Sequence, residues 1–450
     1  MTLIQEAASL LLSSALFANL MPAPVRTQAT ESPVSGPSSP KPGPQDKPDT
    51  GKKDKDKKDK EAESWHREGL TFKKGQSEIV IRGYAQGDFR EPDWKVRGDE
   101  TGDLQAPGRE LRRLRFGVEG QLGDVSFELM LDPRKSQAGS RLKDATFGYR
   151  FSKKLNLLVG HFKPPVSAEF LTGVSRTDFV DRSMFAARLA PGRDWGASLS
   201  GELGRLDYSV GAFDGDDSAN EGVGISAATR LSFEVSKNLR LAVSLIQGEV
   251  TAAPRAGAAE PSPRGASGVT STGFTFWNRP HVDGTRRRLG SDVSYVRDRL
   301  RLQAEYLEEQ EERRRQGSTG QDLPDVRGRG WSAAASYVLI GERKGANAQP
   351  RKSVFRGGAG ALEIVARIEA LKFDDTGDPS GFAGFGNRSR NISPSGASAV
   401  QAGANFWFSG FLKLQGSAIW ESYNDPLIAP VPGNKGRYFT LLGRVQFMIP

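Results

Sequence analysis

The stretch VGISAATRLSFEV, residues 223–235, alternates with period two. Val223, Ile225, Ala227, Leu231, Phe233 and Val235 fall on one side, and Gly224, Ser226, Ala228, Arg230, Ser232 and Glu234 on the other. Such alternation marks a strand with one apolar and one wet face. The pattern returns in VSFELMLD (125–132), LRLQAEY (300–306), FLKLQGSAIW (411–420) and RYFTLLGRVQF (437–447). About sixteen such segments can be drawn: 79–89, 110–121, 124–132, 142–151, 154–163, 194–203, 204–213, 222–235, 238–250, 287–297, 300–311, 328–339, 360–372, 398–408, 411–423 and 436–448. No helical period stands out among them.

The connections alternate too. Very short turns (LGD, FSKK, ELGR, VSKN, VRDR, FSGF) take turns with long segments such as 90–109, 164–193, 251–286, 312–327, 373–397 and 424–435. An even strand number with short turns at one end and long loops at the other is the layout of an outer-membrane barrel. One connection, 340–359, is long where a short turn is expected. In lipid every backbone polar group must be paired internally, so the sheet must close. Its outer face must be apolar while its inner face can be wet, which reconciles clean alternation with a mean hydropathy of −0.50. Tyr149, Trp195, Trp331, Tyr337, Phe408, Phe411, Trp420 and Phe439 lie near strand ends, as interfacial girdles require. The predicted class is all-β, a transmembrane antiparallel barrel. A large soluble antiparallel protein would alternate as well, but it has no reason for asymmetric turns.

Ahead of the barrel, AASLLLSSALFANL (7–20) is too short for a comfortable membrane helix, and small residues follow it. Residues 1–25 read as a signal peptide, although no Lys or Arg precedes the apolar run. Residues 26–64 read as a Pro-, Lys- and Asp-rich linker that cannot bury a core. The barrel takes 65–450. Cysteine is absent from all 450 residues, which suits passage through an oxidising periplasm. The three histidines, His66, His161 and His281, argue against a metal centre or His-based catalysis, and no cofactor is expected. The net charge of +9 arises in the barrel, since residues 31–64 hold eight Lys against eight Asp and Glu. A basic surplus can attract nucleic acid, acidic lipid or an anionic solute; within a barrel the solute is the natural partner. The linker could also touch peptidoglycan, or serve as a plain tether.

Sixteen strands leave an aqueous lumen. The third long loop, 164–193, carries Phe170, Leu171, Phe179, Phe185 and Leu189 together with Arg176, Arg182, Arg188 and Arg193, and Lys163 precedes it. Its apolar side chains can pack it inward against the wall while its cations meet a passing solute. Against that reading, Glu169, Asp178, Asp181 and Asp194 could simply pair with those arginines. If the apolar faces meet lipid, Arg115, Arg150, Arg230, Arg301, Arg367, Lys413 and Arg444 point inward, with Glu119, Glu128, Glu234 and Glu305. The candidate anion pathway is therefore Lys163, Arg176, Arg182, Arg188, Arg193, Arg115, Arg230, Arg367 and Arg444. Guanidinium forks are always charged and match oxyanions.

Residues 111–215 resemble the phosphate-selective porin family of the O and P type. The likeness rests on LRRLRFGVEGQLGDVSFEL, LKDATFGYRFSKKLNLLVGHFKPP, LTGVSRTDFVDRSMFAARLAPGRDWGASLSG and DYSVGAFDGD, in that order. The resemblance implies a sixteen-stranded, usually trimeric barrel, with an inward third loop and arginines along the anion path. By position it carries basic roles to Lys163, Arg176, Arg182 and Arg193, and places Arg112, Arg113 and Arg115 in the matching strand. The sequence departs at Pro165 and Asp181, where Glu is usual, and at Arg188, which looks peculiar to this chain. Its end, QFMIP, leaves Phe447 short of the terminus. The expected function is passive diffusion of small anions, phosphate or polyphosphate foremost. A general or other-anion porin, or a structural barrel tethering the envelope, remains the alternative. A barrel enzyme would need a convergent nucleophile and base, which the residues do not suggest.

Overall fold

The computed structural model describes residues 69–92, 108–134, 141–215, 224–252, 263–317, 320–345, 347–376, 394–425, 429–430 and 438–449. The leader and linker expected over 1–64 lie outside the described residues, as do parts of several long loops. Sixteen strands form the barrel. They are β2 (Ser77–Pro92), β3 (Gly108–Leu122), β4 (Val125–Leu131), β5 (Leu142–Ser152), β6 (Leu155–Phe162), β7 (Asp194–Leu203), β8 (Leu206–Phe213), β9 (Ser226–Ser236), β10 (Leu239–Val250), β13 (Gly284–Arg297), β14 (Leu300–Arg313), β15 (Leu323–Ile340), β16 (Ala361–Asp375), β17 (Ser395–Trp407), β18 (Leu412–Tyr423) and β19 (Tyr438–Met448). Each pairs antiparallel with its chain neighbour, and β19 pairs with β2 from Thr440↔Pro92 to Met448↔Tyr84, which closes the cylinder.

Three strands lie outside the predicted set. β1 (Leu70–Lys74) pairs with the first residues of β2, Leu70 opposite Ile81, on the edge that β19 leaves vacant past Met448. β11 (Gly268–Val269) and β12 (Thr275–Trp277) form a small pair within the 251–283 connection. All three are too short to show a period. Two helical turns, α1 (Ala168–Leu171) and α2 (Met184–Arg188), occur in the third long loop.

The faces sort as the alternation predicts. On β16, Ile364 and Ile368 are exposed. The opposite face runs Ala361, Glu363, Val365, Arg367, Glu369, Leu371, Phe373, and every member is buried. Trp195, Trp331, Tyr337 and Trp420 are exposed on the apolar side, where a girdle belongs. The tight turns lie at one end, and Gly123 and Gly204 there take positive φ (63° and 74°), which their reversals need. The 341–360 connection shares that end, as its order in the chain required. Arg150 and Glu234 sit exposed beside these turns rather than deep in the barrel.

The buried face is layered. Its middle is polar, with Arg367, Gln401, Asn405, Lys413, Gln415, Arg444 and Gln446. Toward the long-loop end it becomes apolar, with Leu307, Leu371, Phe373, Ile419, Tyr423, Tyr438 and Leu442 joined to Met184, Phe185 and Leu189 of the third loop and to Phe276 and Trp277 of the β11–β12 pair. Trp277 stacks on Phe373 at 5.1 Å between centroids.

Val400, on the exposed face near the middle of β17, is 51% accessible. Val400→Arg should cost about 2–4 kcal/mol of folding free energy in lipid vesicles, measured by denaturant titration of the reconstituted barrel. Gln401→Arg, on the opposite face, should not carry that lipid penalty.

Candidate functional site

The third loop begins where β6 ends. Over residues 169–185 its contacts include the polar faces of β2 and of β14 to β19. Gln86 donates to the Val174 carbonyl at 3.2 Å, Gln446 to Ser175 at 3.0 Å, Lys413 to Thr177 at 2.9 Å and Asn405 to Asp178 at 2.8 Å. Arg444 donates to the Val180 carbonyl. Thus a run of loop carbonyls from 174 to 180 is satisfied by side chains from strands rather than by regular structure.

Loop carboxylates complete the attachment. Asp178 meets Lys344 at 2.6 Å and Arg301 at 3.4 Å. Asp181 meets Arg90 at 2.5 Å and Arg444 at 3.6 Å. Glu169 meets Arg367 at 3.1 Å and also accepts from Ser183. Strand carboxylates answer with the reverse polarity: Glu369 accepts from the Met184 N–H at 2.6 Å and Glu305 from the Glu169 N–H at 2.9 Å. Lys344 comes from the 341–360 connection, so this long turn reaches from its own end of the barrel to the third loop. Its side chain is fully buried and also meets Glu363. Burial pushes the Asp178 and Asp181 carboxyls up, but the facing cations outweigh it and hold both below the usual range.

The nine predicted pathway residues divide. Arg367 and Arg444 belong to this attachment: Arg444 grips Asp88 through Nε and Nη2, at 2.6 and 2.7 Å, and Arg367 lies 4.5 Å above the Phe179 ring. Arg230 pairs with Asp292 at 2.7 Å, and Asp292 stands opposite Glu305, which accepts from the loop. Arg176 and Arg188 are half-buried in the loop, with Arg188 closing α2.

Lys163, Arg182, Arg193 and Arg115 come together instead. Lys163 and Arg182 share the Phe170 ring, each 5.0 Å from its centroid. Both also donate to the carbonyls at the end of α1: Lys163 to Phe170 at 2.5 Å, Arg182 to Thr172 at 2.7 Å. Arg193 makes two 2.9 Å bonds to Asp144 on β5, and Arg115 on β3 approaches Asp132 at 3.4 Å. Arg134, not foreseen from sequence, pairs with the same Asp132 at 2.8 Å. With Lys143, which lies among the same groups, six cations thereby face Asp132 and Asp144. Neighbouring Arg82 is taken up by Glu119 and Glu128, at 2.6 Å each. Burial, then Arg182 and Arg193, press the Lys163 ammonium well below the ordinary lysine value. Asp144 could have been found on the polar face of LKDATFGYR. Lys344 gave no local signal, since its role depends on a distant aspartate. Among the described residues no group of three His, Asp or Glu side chains is placed to hold a metal ion.

A closed sixteen-stranded cylinder, apolar outside and charged within, defines an outer-membrane porin. The chain belongs to the phosphate-selective porin O and P family, whose model matches residues 79–449. An uncharacterized protein of Caulobacter vibrioides is 27% identical over 341 residues, 67% of this chain and 66% of its own length, so the match spans just under two thirds of that relative. Among solved structures, the anion-selective porin from Comamonas acidovorans has a TM-score of 0.52 at 13% identity, covering 83% of this chain and all of its own. The trimer form of OmpT, an outer membrane protein of Vibrio cholerae, has a TM-score of 0.50 at 10% identity, covering 83% and 100%. These likenesses carry the fold. Family and fold together place the chain among pores rather than enzymes.

Two tests follow from the loop's attachment. Arg444→Met leaves the buried Asp88 carboxylate without its bidentate partner, and should cost about 3–5 kcal/mol, read from denaturant unfolding in detergent. The depressed carboxyls of Asp178 and Asp181 contribute stability that is fully present above their unfolded value of about 4 and lost as pH falls through their lower folded values. Single-channel traces should therefore stay quiet at pH 4 and turn noisy only in stronger acid. Noise that sets in at pH 5 would contradict this.

Proposed function

We propose that the protein passes small anions, phosphate or polyphosphate foremost, by passive diffusion, and that residues 163–193 fold inward to narrow the route. The observation that carries this reading is the cluster of Lys163, Arg182, Arg193, Arg115, Arg134 and Lys143, whose ion pairs among the described residues reach Asp132 and Asp144 while Lys163 and Arg182 form none. Lys163 and Arg182 make their hydrogen bonds to backbone carbonyls and lie on an aromatic ring, and neither forms an ion pair, so Glu169 and Asp144 offset their charge only from a distance. An anion arriving there meets net positive potential and several N–H donors in place of lost water. Because the donors are spread over strand and loop, each contact can stay weak, as throughput demands. Arg230, Arg367 and Arg444 serve the wall rather than the solute in this reading. Family membership and the anion-selective porin from Comamonas acidovorans, similar in fold, support the choice of anions. We also propose a homotrimer, as the trimer form of Vibrio cholerae OmpT suggests.

Planar-bilayer recording tests this. The double variant Lys163→Gln with Arg182→Gln should lower the chloride-to-potassium permeability ratio by about ten-fold, and an unchanged ratio would refute the cluster's role. Millimolar phosphate should block chloride current in the parent; no block would leave an anion porin without phosphate preference. In the parent, anion selectivity should fade as pH rises toward, but still well below, the ordinary lysine value of about 10.4. Lys163→Arg should remove that fade.

A further inference from the structure

One cavity is built at the opposite end of the barrel from the long loops. It holds about 290 Å³ and is lined by Arg297, Asp298, Arg299, Leu300, Tyr337, Arg343 and Arg351. The lining brings together the end of β13, the start of β14, β15 and the 341–360 connection. It therefore sits at the tight-turn end, which faces the periplasm in barrels of this kind. It also opens outward rather than into the lumen. Arg297 stands opposite Leu300, and Leu300 opposite Tyr337. Tyr337 is 42% exposed on the apolar face, in line with Leu302 and Leu339. Four guanidiniums thus gather just below an interfacial tyrosine, where lipid headgroups meet the wall.

These cations are poorly compensated. Asp298 is the one carboxylate in the lining, and both side chains of its 3.4 Å contact with Arg343 are exposed to solvent. Arg299 donates to the Leu339 carbonyl at 2.8 Å, which holds its guanidinium at the rim. The Arg297 and Arg351 side chains have no hydrogen-bond or ion-pair partner within the described residues. The cradle is also braced. The Lys344 N–H donates to the Asp298 carbonyl at 2.6 Å, and Arg301 donates to the Gly345 carbonyl.

A second feature sets the depth of this connection. Phe355, 61% exposed, stacks on Phe411 at 5.8 Å and lies 6.3 Å from Phe408, and Phe411 in turn meets the outward Phe447 at 5.9 Å. An exposed aromatic shelf of this kind belongs in the interfacial zone of a bilayer. It carries Lys352 and Arg356 beside it, both exposed. The connection that looked too long for a periplasmic turn is thereby an interfacial element with an apolar edge and a basic one.

We propose that Arg297, Arg299, Arg343 and Arg351 bind the phosphate group of an anionic phospholipid in the periplasmic leaflet. Guanidinium forks match a phosphodiester, and the leaflet presents that group at this depth. A free phosphate shares the chemistry, and the aromatic shelf is what favours the lipid. The inference does not depend on which solute the pore carries.

Native mass spectrometry of the detergent-purified barrel, supplemented with dioleoylphosphatidylglycerol or dioleoylphosphatidylcholine, tests it. The parent should retain the anionic lipid in preference to the zwitterionic one. Arg297→Gln with Arg351→Gln should lower that retention by about ten-fold, while Arg287→Gln, at the other end of β13, should not. Unchanged conductance of the double variant shows that its barrel is intact. Equal retention by parent and double variant overturns the proposal. So does displacement of the lipid by millimolar inorganic phosphate, which would assign the cradle to free phosphate instead.

Discussion

Everything in this molecule follows from the backbone's need for hydrogen bonds where no water can supply them. Sixteen strands satisfy one another, but only if the last returns to the first. The β19–β2 seam does this over nine residue pairs, Thr440↔Pro92 to Met448↔Tyr84. An open edge in hydrocarbon would leave each of those groups unpaired at a cost of several kcal/mol. Closure then dictates the sequence. One face of every strand must be tolerable to lipid, and the other is released to carry charge.

The released face is used in three ways. In its middle layer, side-chain amides and cations from β16 to β19 and β2 hold the backbone of residues 174–181. Toward the long-loop end, an apolar layer packs around α2 and the β11–β12 pair. Along β3 to β6 the cations outnumber the carboxylates. This division has an electrostatic logic. Asp178, Asp181 and Glu169 neutralise the wall cations they touch, so the unpaired charge is left beside Lys163 and Arg182. Asp181 reaches both Arg90 and Arg444. The carboxylates of the loop therefore serve the anion route that we propose by deciding which cations remain unpaired.

Much of this could be read in advance. All sixteen barrel strands fall within a few residues of their predicted bounds, because a period of two repeated over nine to fourteen residues admits little else. The inward placement of Arg115, Arg230, Arg301, Arg367, Lys413 and Arg444 followed from the same alternation. What escaped was of two kinds. β1, β11 and β12 are too short to carry a pattern. The division of labour among the arginines was invisible, since Arg444 and Arg182 look alike in the chain. One ends against Asp88, 356 residues away, and the other against carbonyls ten to thirteen residues away.

By itself the sequence determined the class of fold, the strand number, the two faces and the alternation of tight and long connections, with 341–360 as its exception. These are local properties: side-chain polarity at successive positions, and the turn length between reversals. Only the tertiary structure decided which charges cancel. Pairing between Lys344 and Asp178, or between Arg193 and Asp144, depends on strands brought alongside by closure, and no spacing in the chain encodes the distance between them. Alternation assigns each side chain to a face. Partners on that face are chosen by the curvature of the whole cylinder.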